Sequence, residues 1–100
     1  MQLLPKFIVE NDCLIISKVA YHRDLATDRK SVKGGGLFRF LPETNTFVFY
    51  GMSYDFGAAS LEDVKKCIEL GNVYSNKLKA HSIVKEHHFA YDTGTEIVNL

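Results

Sequence analysis

His22 is the residue whose type and setting best suit chemistry. It follows Tyr21 at the polar end of an apolar run that begins at Cys13, and imidazole takes up a proton near neutral pH, which suits general-base work. A surface or hydrogen-bonded structural histidine is the plainer reading of the same pattern. Downstream, Lys33 precedes Gly34-Gly35-Gly36, and bare backbone N–H groups at glycine approach a phosphate closely. No Gly-Lys-Ser/Thr follows, so this is not a P-loop, and the glycines equally suit a strand that packs tightly or bulges. The segment Gly51 to Ala59 carries the Ser53 hydroxyl and leads into a helix start, where backbone donors and the positive dipole end favour an anion. His81, His87 and His88 suggest no metal: neighbours on a strand point to opposite faces, and no acidic or cysteine cluster completes a set. Cys13 and Cys67 are too few and too far apart for zinc, and read as core or boundary thiols.

These groups need elements to hold them. Lys6 to Glu10 is a short β run, Asn11-Asp12 a turn, and Cys13 to His22 the longest strand candidate. With a period of two, Leu14, Ile16, Lys18, Ala20 and His22 share one face of that strand. Arg23 to Val32 is polar, with room for a helical turn. Leu37 to Leu41 and Thr46 to Tyr50 form a hairpin across Pro42-Glu43-Thr44-Asn45. Ser60 with Asp63 starts a helix, Leu61, Val64 and Ile68 give it an apolar stripe, and Gly71 ends it. Ser82 to Tyr91 reads as a strand, Asp92-Thr93-Gly94 as a turn and Glu96 to Leu100 as a closing strand. The expected fold is α+β: one domain over residues 1–100, a mixed or largely antiparallel sheet and one principal helix.

A chain of 100 residues, 46% hydrophobic and 24% charged, is the size of one globular domain. Twelve basic residues balance twelve acidic ones, which argues against a nucleic-acid partner. The balance is uneven. Between Lys18 and Arg39 six basic residues face two acidic ones, an excess of four positive charges that favours a small anion locally, although a solvated loop of mixed charge has the same composition. No apolar run reaches the length of a membrane span, and Met1 to Lys6 lacks the pattern of a secretory signal. The expectation is a cytoplasmic protein with no membrane partner.

In order along the chain, Tyr21-His22-x-Asp24-Leu25, the triple glycine, and Tyr50-Gly51-x-Ser53-x-x-Phe56-Gly57 resemble the motifs of the Janus/Ocnus family of small phosphohistidine phosphatases. The resemblance spans roughly residues 6–71. It implies a metal-independent, cofactor-free hydrolase acting on the P–N bond of phosphohistidine in a phosphorylated protein, or of a small phosphoramidate. It makes His22 the catalytic histidine, as general base or as nucleophile. It implies phosphate or substrate contacts from Lys6, Tyr21, Gly35, Gly36, Ser53 and Asp55. The chain departs from the family in the short segment between His22 and Gly34, where relatives have a full helix, and at Asp55, where they have a small residue. A carboxylate beside a bound phosphate costs about 1 kcal/mol or more at short range, unless the substrate carries a cation that pairs with it. A non-catalytic phosphate- or phosphoprotein-binding module of the same fold is the alternative expectation.

Overall fold

A computed structural model describes residues 3–75 and 78–100. Met1 and Gln2, which open the segment considered above as a leader, lie outside the described residues. Among the described residues eight strands form one mixed sheet: β1 (Leu4–Glu10), β2 (Cys13–Val19), β3 (Val32–Leu41), β4 (Thr46–Tyr50), β5 (Val73–Ser75), β6 (Leu78–Lys79), β7 (His88–Asp92) and β8 (Ile97–Asn99). Their order is β6-β5-β2-β1-β3-β4-β7-β8. The β2–β5 and β4–β7 pairs are parallel and the other five antiparallel. Helices α1 (Leu61–Glu69) and α2 (His81–Glu86) supply the two connections to the parallel strands, as parallel pairing requires a crossover.

The expected α+β class, the hairpin of Leu37 to Leu41 with Thr46 to Tyr50 and the principal helix are all present. Ser60 caps α1 by accepting from the Asp63 N–H at 3.1 Å, and Gly71 at φ 71° ends it in the left-handed conformation. Two expectations are corrected. The run from Ser82 to Tyr91 is not one strand, because its first half forms α2 and only His88–Asp92 joins the sheet. Within α2, Ile83 and Val84 pack against the core from successive positions, whereas strand alternation would send one of them away from it. The second correction is at the site. Strand β2 ends at Val19, where its pairing with Leu4 of β1 runs out, so His22 is not on the strand.

Burial divides the sheet into two unlike faces. On one, Phe7, Val9, Leu14, Ile16, Phe49, Val73 and Tyr91 meet Val64 and Cys67 of α1 in the main apolar core, with Phe7 and Phe49 in edge-to-face contact at 5.1 Å. On the other, Ile8 and Ile15 pack with Leu25, which the segment between β2 and β3 folds back over the sheet. That segment is two short 3₁₀ turns, His22–Asp24 and Arg29–Ser31, in place of a helix.

Candidate active site

The candidate site lies on this second face. Past Val19 the chain turns over β1, and the first 3₁₀ turn is closed by Tyr21: its carbonyl accepts from the Asp24 N–H and its N–H donates to Asp24 Oδ2 at 3.1 Å. His22 is thereby swung under the segment and buried to 6% exposure. This crossing overturns the alternation expected for residues 13–22. Lys18 stays on the α1 face with Ile16, while His22 shares a cleft with Lys6 on the other.

The glycines explain why the ring fits. A Cβ on Gly35 would lie 2.5 Å from the Phe7 carbonyl oxygen and 3.3 Å from His22 Cδ2, and one on Gly36 would lie 2.4 Å from the Tyr50 carbonyl oxygen. Gly34 meets Ala58 as closely, its own Cβ site being 2.5 Å from that carbonyl oxygen. These residues are buried in β3 and line no part of the cleft. Their small size admits the imidazole and lets the loop after β4 approach, where Gly35 N–H donates to Gly57 O at 3.0 Å. Gly36 adds the contact that orients the base: His22 Nε2 donates to its carbonyl at 2.7 Å. A carbonyl only accepts, so this nitrogen carries the proton and Nδ1 is the basic atom of the neutral ring.

Burial pushes the His22 pKa below its ordinary 6.5, and the Lys6 cation pushes the same way. The Gly36 carbonyl and the Asp55 carboxylate oppose them without reversing the shift. At pH 7 the ring is therefore an unprotonated base.

Around it is a cleft of about 460 Å³ lined by Lys6, Ala20, Tyr21, His22, Arg23, Met52, Tyr54 and Asp55. Lys6 is buried, and its ammonium donates to the Val19 carbonyl at 2.7 Å. An ammonium has three N–H groups, so this bond aims the cation without exhausting it. Arg23 lies over the Tyr21 ring, 4.2 Å from its centroid. The cleft therefore joins a neutral base to two cations, an arrangement suited to a tetrahedral anion and proton transfer beside it.

Of the residues expected at the site, His22, Lys6, Tyr21 and Asp55 line the cleft. Ser53 does not: it is fully buried and shapes the loop from within. Its Oγ accepts from the N–H groups of Asp55 (3.2 Å) and Phe56 (3.1 Å), and its backbone exchanges two hydrogen bonds with Gly57. Four of the loop amides expected to face an anion, those of Ser53, Asp55, Phe56 and Gly57, are thus held by the loop itself. No residue of α1 lines the cleft, and Leu61 and Val64 of its first turn pack into the core on the opposite face.

Sequence reasoning missed Arg23, Met52 and Tyr54 as lining residues, and Glu10 as the anchor of the whole segment. Buried Glu10 accepts from Thr27 N (2.7 Å), Asp28 N (3.0 Å) and Thr27 Oγ1. It ties the strap that carries His22 to β1. The available signal was a carboxylate closing the apolar run Phe7-Ile8-Val9 of a central strand, which demands partners. From the far side, the buried Tyr91 hydroxyl donates to Ala59 O at 2.9 Å and pins the end of the Ser53 loop.

Among the described residues no three His, Cys, Asp or Glu side chains converge on a possible metal position, and no helix is long and apolar enough to cross a membrane. No protein-family model, curated protein or solved structure matches the chain.

Proposed function

We propose that this protein is a phosphatase that hydrolyses a P–N bond, with His22 as general base and Lys6 and Arg23 as the phosphoryl-binding cations. The observation that carries the reading is the buried His22, its Nε2–H held by the Gly36 carbonyl, in a cleft that also holds Lys6 and Arg23. The motif order that resembles the Janus/Ocnus family supports the same chemistry.

Water attacks phosphorus and gives a proton to His22 Nδ1. The P–N electron pair leaves with nitrogen, which receives that proton from His22, so that R–NH–PO₃²⁻ and H₂O become R–NH₂ and HPO₄²⁻. The cations offset charge on the phosphoryl oxygens, and such transfer depends mainly on positioning and charge. Base and cations are all side chains, so the route is written without a metal.

The second reading, a phosphate-binding module without turnover, is favoured by one observation: the Ser53 and Asp55 N–H groups are bonded within their own loop. Incubation with phosphoramidate, with and without chelator, separates the two. The enzyme reading expects chelator-indifferent release of phosphate that falls by about 10²–10⁴-fold in His22→Ala with the circular dichroism spectrum unchanged. Saturable phosphate binding without turnover supports the module, and wild-type turnover by His22→Ala contradicts the assignment.

A further inference from the structure

The cleft holds charges of both signs that do not neutralise one another. Among the described residues, the carboxylate of Asp55 enters no ion pair, and neither Lys6 nor Arg23 is bridged to a carboxylate. Charges of opposite sign left unbridged in one concave site, Lys6 buried and Arg23 and Asp55 exposed, fit a ligand that carries both, because each then gains a partner of opposite sign. A lone phosphate satisfies the cations and is repelled by Asp55. A phosphate joined to a cation satisfies all three.

The form of the cationic part follows from the neighbours of Asp55. Its N–H is already taken by Ser53 Oγ, so the carboxylate is the group it offers a ligand. Next to it in the chain and on the same cleft, Tyr54 is 101% exposed, a ring with an uncovered face; Met52 beside it is 62% exposed. A carboxylate next to an aromatic face suits a flat, delocalised cation, which pairs with two oxygens in its plane and stacks on the ring. Arg23 over Tyr21 is the same stacking made within the protein.

We propose that Asp55 and Tyr54 select a guanidinium-borne phosphoryl group, so that the substrate class is an N-phosphoguanidine such as phosphoarginine. The inference rests on the P–N hydrolase reading above and adds the leaving group. Water supplies the oxygen to phosphorus, the P–N bond breaks, and the proton taken by His22 passes to the departing nitrogen. The products are a guanidinium and HPO₄²⁻, with Asp55 holding the guanidinium on both sides of the reaction.

The test compares phosphoarginine with N-phosphoimidazole at pH 8, where the second leaving group is largely neutral, in the wild type, Asp55→Asn and Tyr54→Ala. The expected result is a fall of about tenfold in kcat/KM for phosphoarginine in Asp55→Asn, a smaller fall in Tyr54→Ala, and no fall for N-phosphoimidazole. A second readout is independent of turnover: titration of inorganic phosphate with and without free arginine. Arginine should tighten phosphate binding in the wild type and not in Asp55→Asn. Equal effects of Asp55→Asn on both substrates, with phosphate binding indifferent to arginine, overturn the inference while leaving P–N hydrolysis standing. Arginine-dependent phosphate binding that requires Asp55, without turnover of either substrate, upholds the recognition and overturns the hydrolase reading. Absence of both turnover and arginine dependence overturns both.

Discussion

Strand β1 contributes to both faces of the sheet, and the two sets of side chains differ in kind. Phe7 and Val9 enter the main core with Phe49 and Val64, all fully buried. Lys6, Ile8 and Glu10 point the other way, and the two ionisable groups among them are 7% exposed. Burying an ammonium or carboxylate costs several kcal/mol per ion unless partners compensate, and well-packed apolar residues in the same places are often as stable or more so. The α1 face follows the rule for stability. The His22 face departs from it at Lys6 and Glu10, and each departure supports the site: Lys6 lines the cleft, and Glu10 holds the strap that brings His22 to it. The comparison sets residues that build the apolar core against residues that build the proposed site.

The comparison breaks most visibly at Phe7. Truncation to Ala should cost about 3–5 kcal/mol in a urea melt, a large share of the stability of a 100-residue domain. Activity per folded molecule should change little. Glu10→Gln comes next. It leaves the volume unchanged, removes the charge and forces an amide to replace a carboxylate that accepts from Thr27 and Asp28. A loss of about 1–3 kcal/mol is expected, with a fall in kcat because the strap is no longer held. A stability loss with unchanged kcat would show that Glu10 only supports the fold. Lys6→Met should have the smallest effect on stability, within about 1 kcal/mol and of either sign, while weakening phosphate binding about tenfold. If Lys6→Met destabilises as much as Phe7→Ala and leaves phosphate affinity alone, the distinction between the faces fails.

Much of this was legible in the sequence wherever a local signal had one structural outcome. The Ser60 and Gly71 boundaries of α1, the turn at Asn45 and the strand pattern of Thr46 to Tyr50 are cases of this kind. The candidate cleft was legible in part: His22, Lys6, Tyr21 and Asp55 were singled out and do come together. What failed was alternation across Ala20 to His22, because alternation presumes a continuing strand, and the end of β2 is set by the length of its partner β1. Of the two readings of the glycines, phosphate donors or a tightly packed strand, the fold has the close packing: they clear space for a ring and a loop from elsewhere in the chain. Glu10 went unnoticed because its partners are 17 and 18 residues away and are mostly backbone. The first half of Ser82 to Tyr91 misled because Ile83 and Val84 favour strands in isolation, and tertiary packing overrode that preference.

The His22 pKa gives the account a pH signature. Its value in the folded protein is below 6.5, so the native state binds the proton less readily than the unfolded chain. The stability linked to a neutral His22 is present above about pH 6.5 and is lost as the pH falls from there through the folded-state pKa. Activity should fall over the lower part of the same window, as the base itself is protonated. Removing the Lys6 cation should move that limb up, and removing the Asp55 carboxylate should move it down.

The most direct test of the central claim is a ¹⁵N NMR titration of the His22 imidazole with and without inorganic phosphate. The account predicts a neutral ring at pH 7 with the proton on Nε2, a midpoint below 6.5, and an upward shift of that midpoint when phosphate occupies the cleft and stabilises the imidazolium. A proton on Nδ1 at pH 7, or a midpoint at or above 6.5 that ignores phosphate, would contradict it.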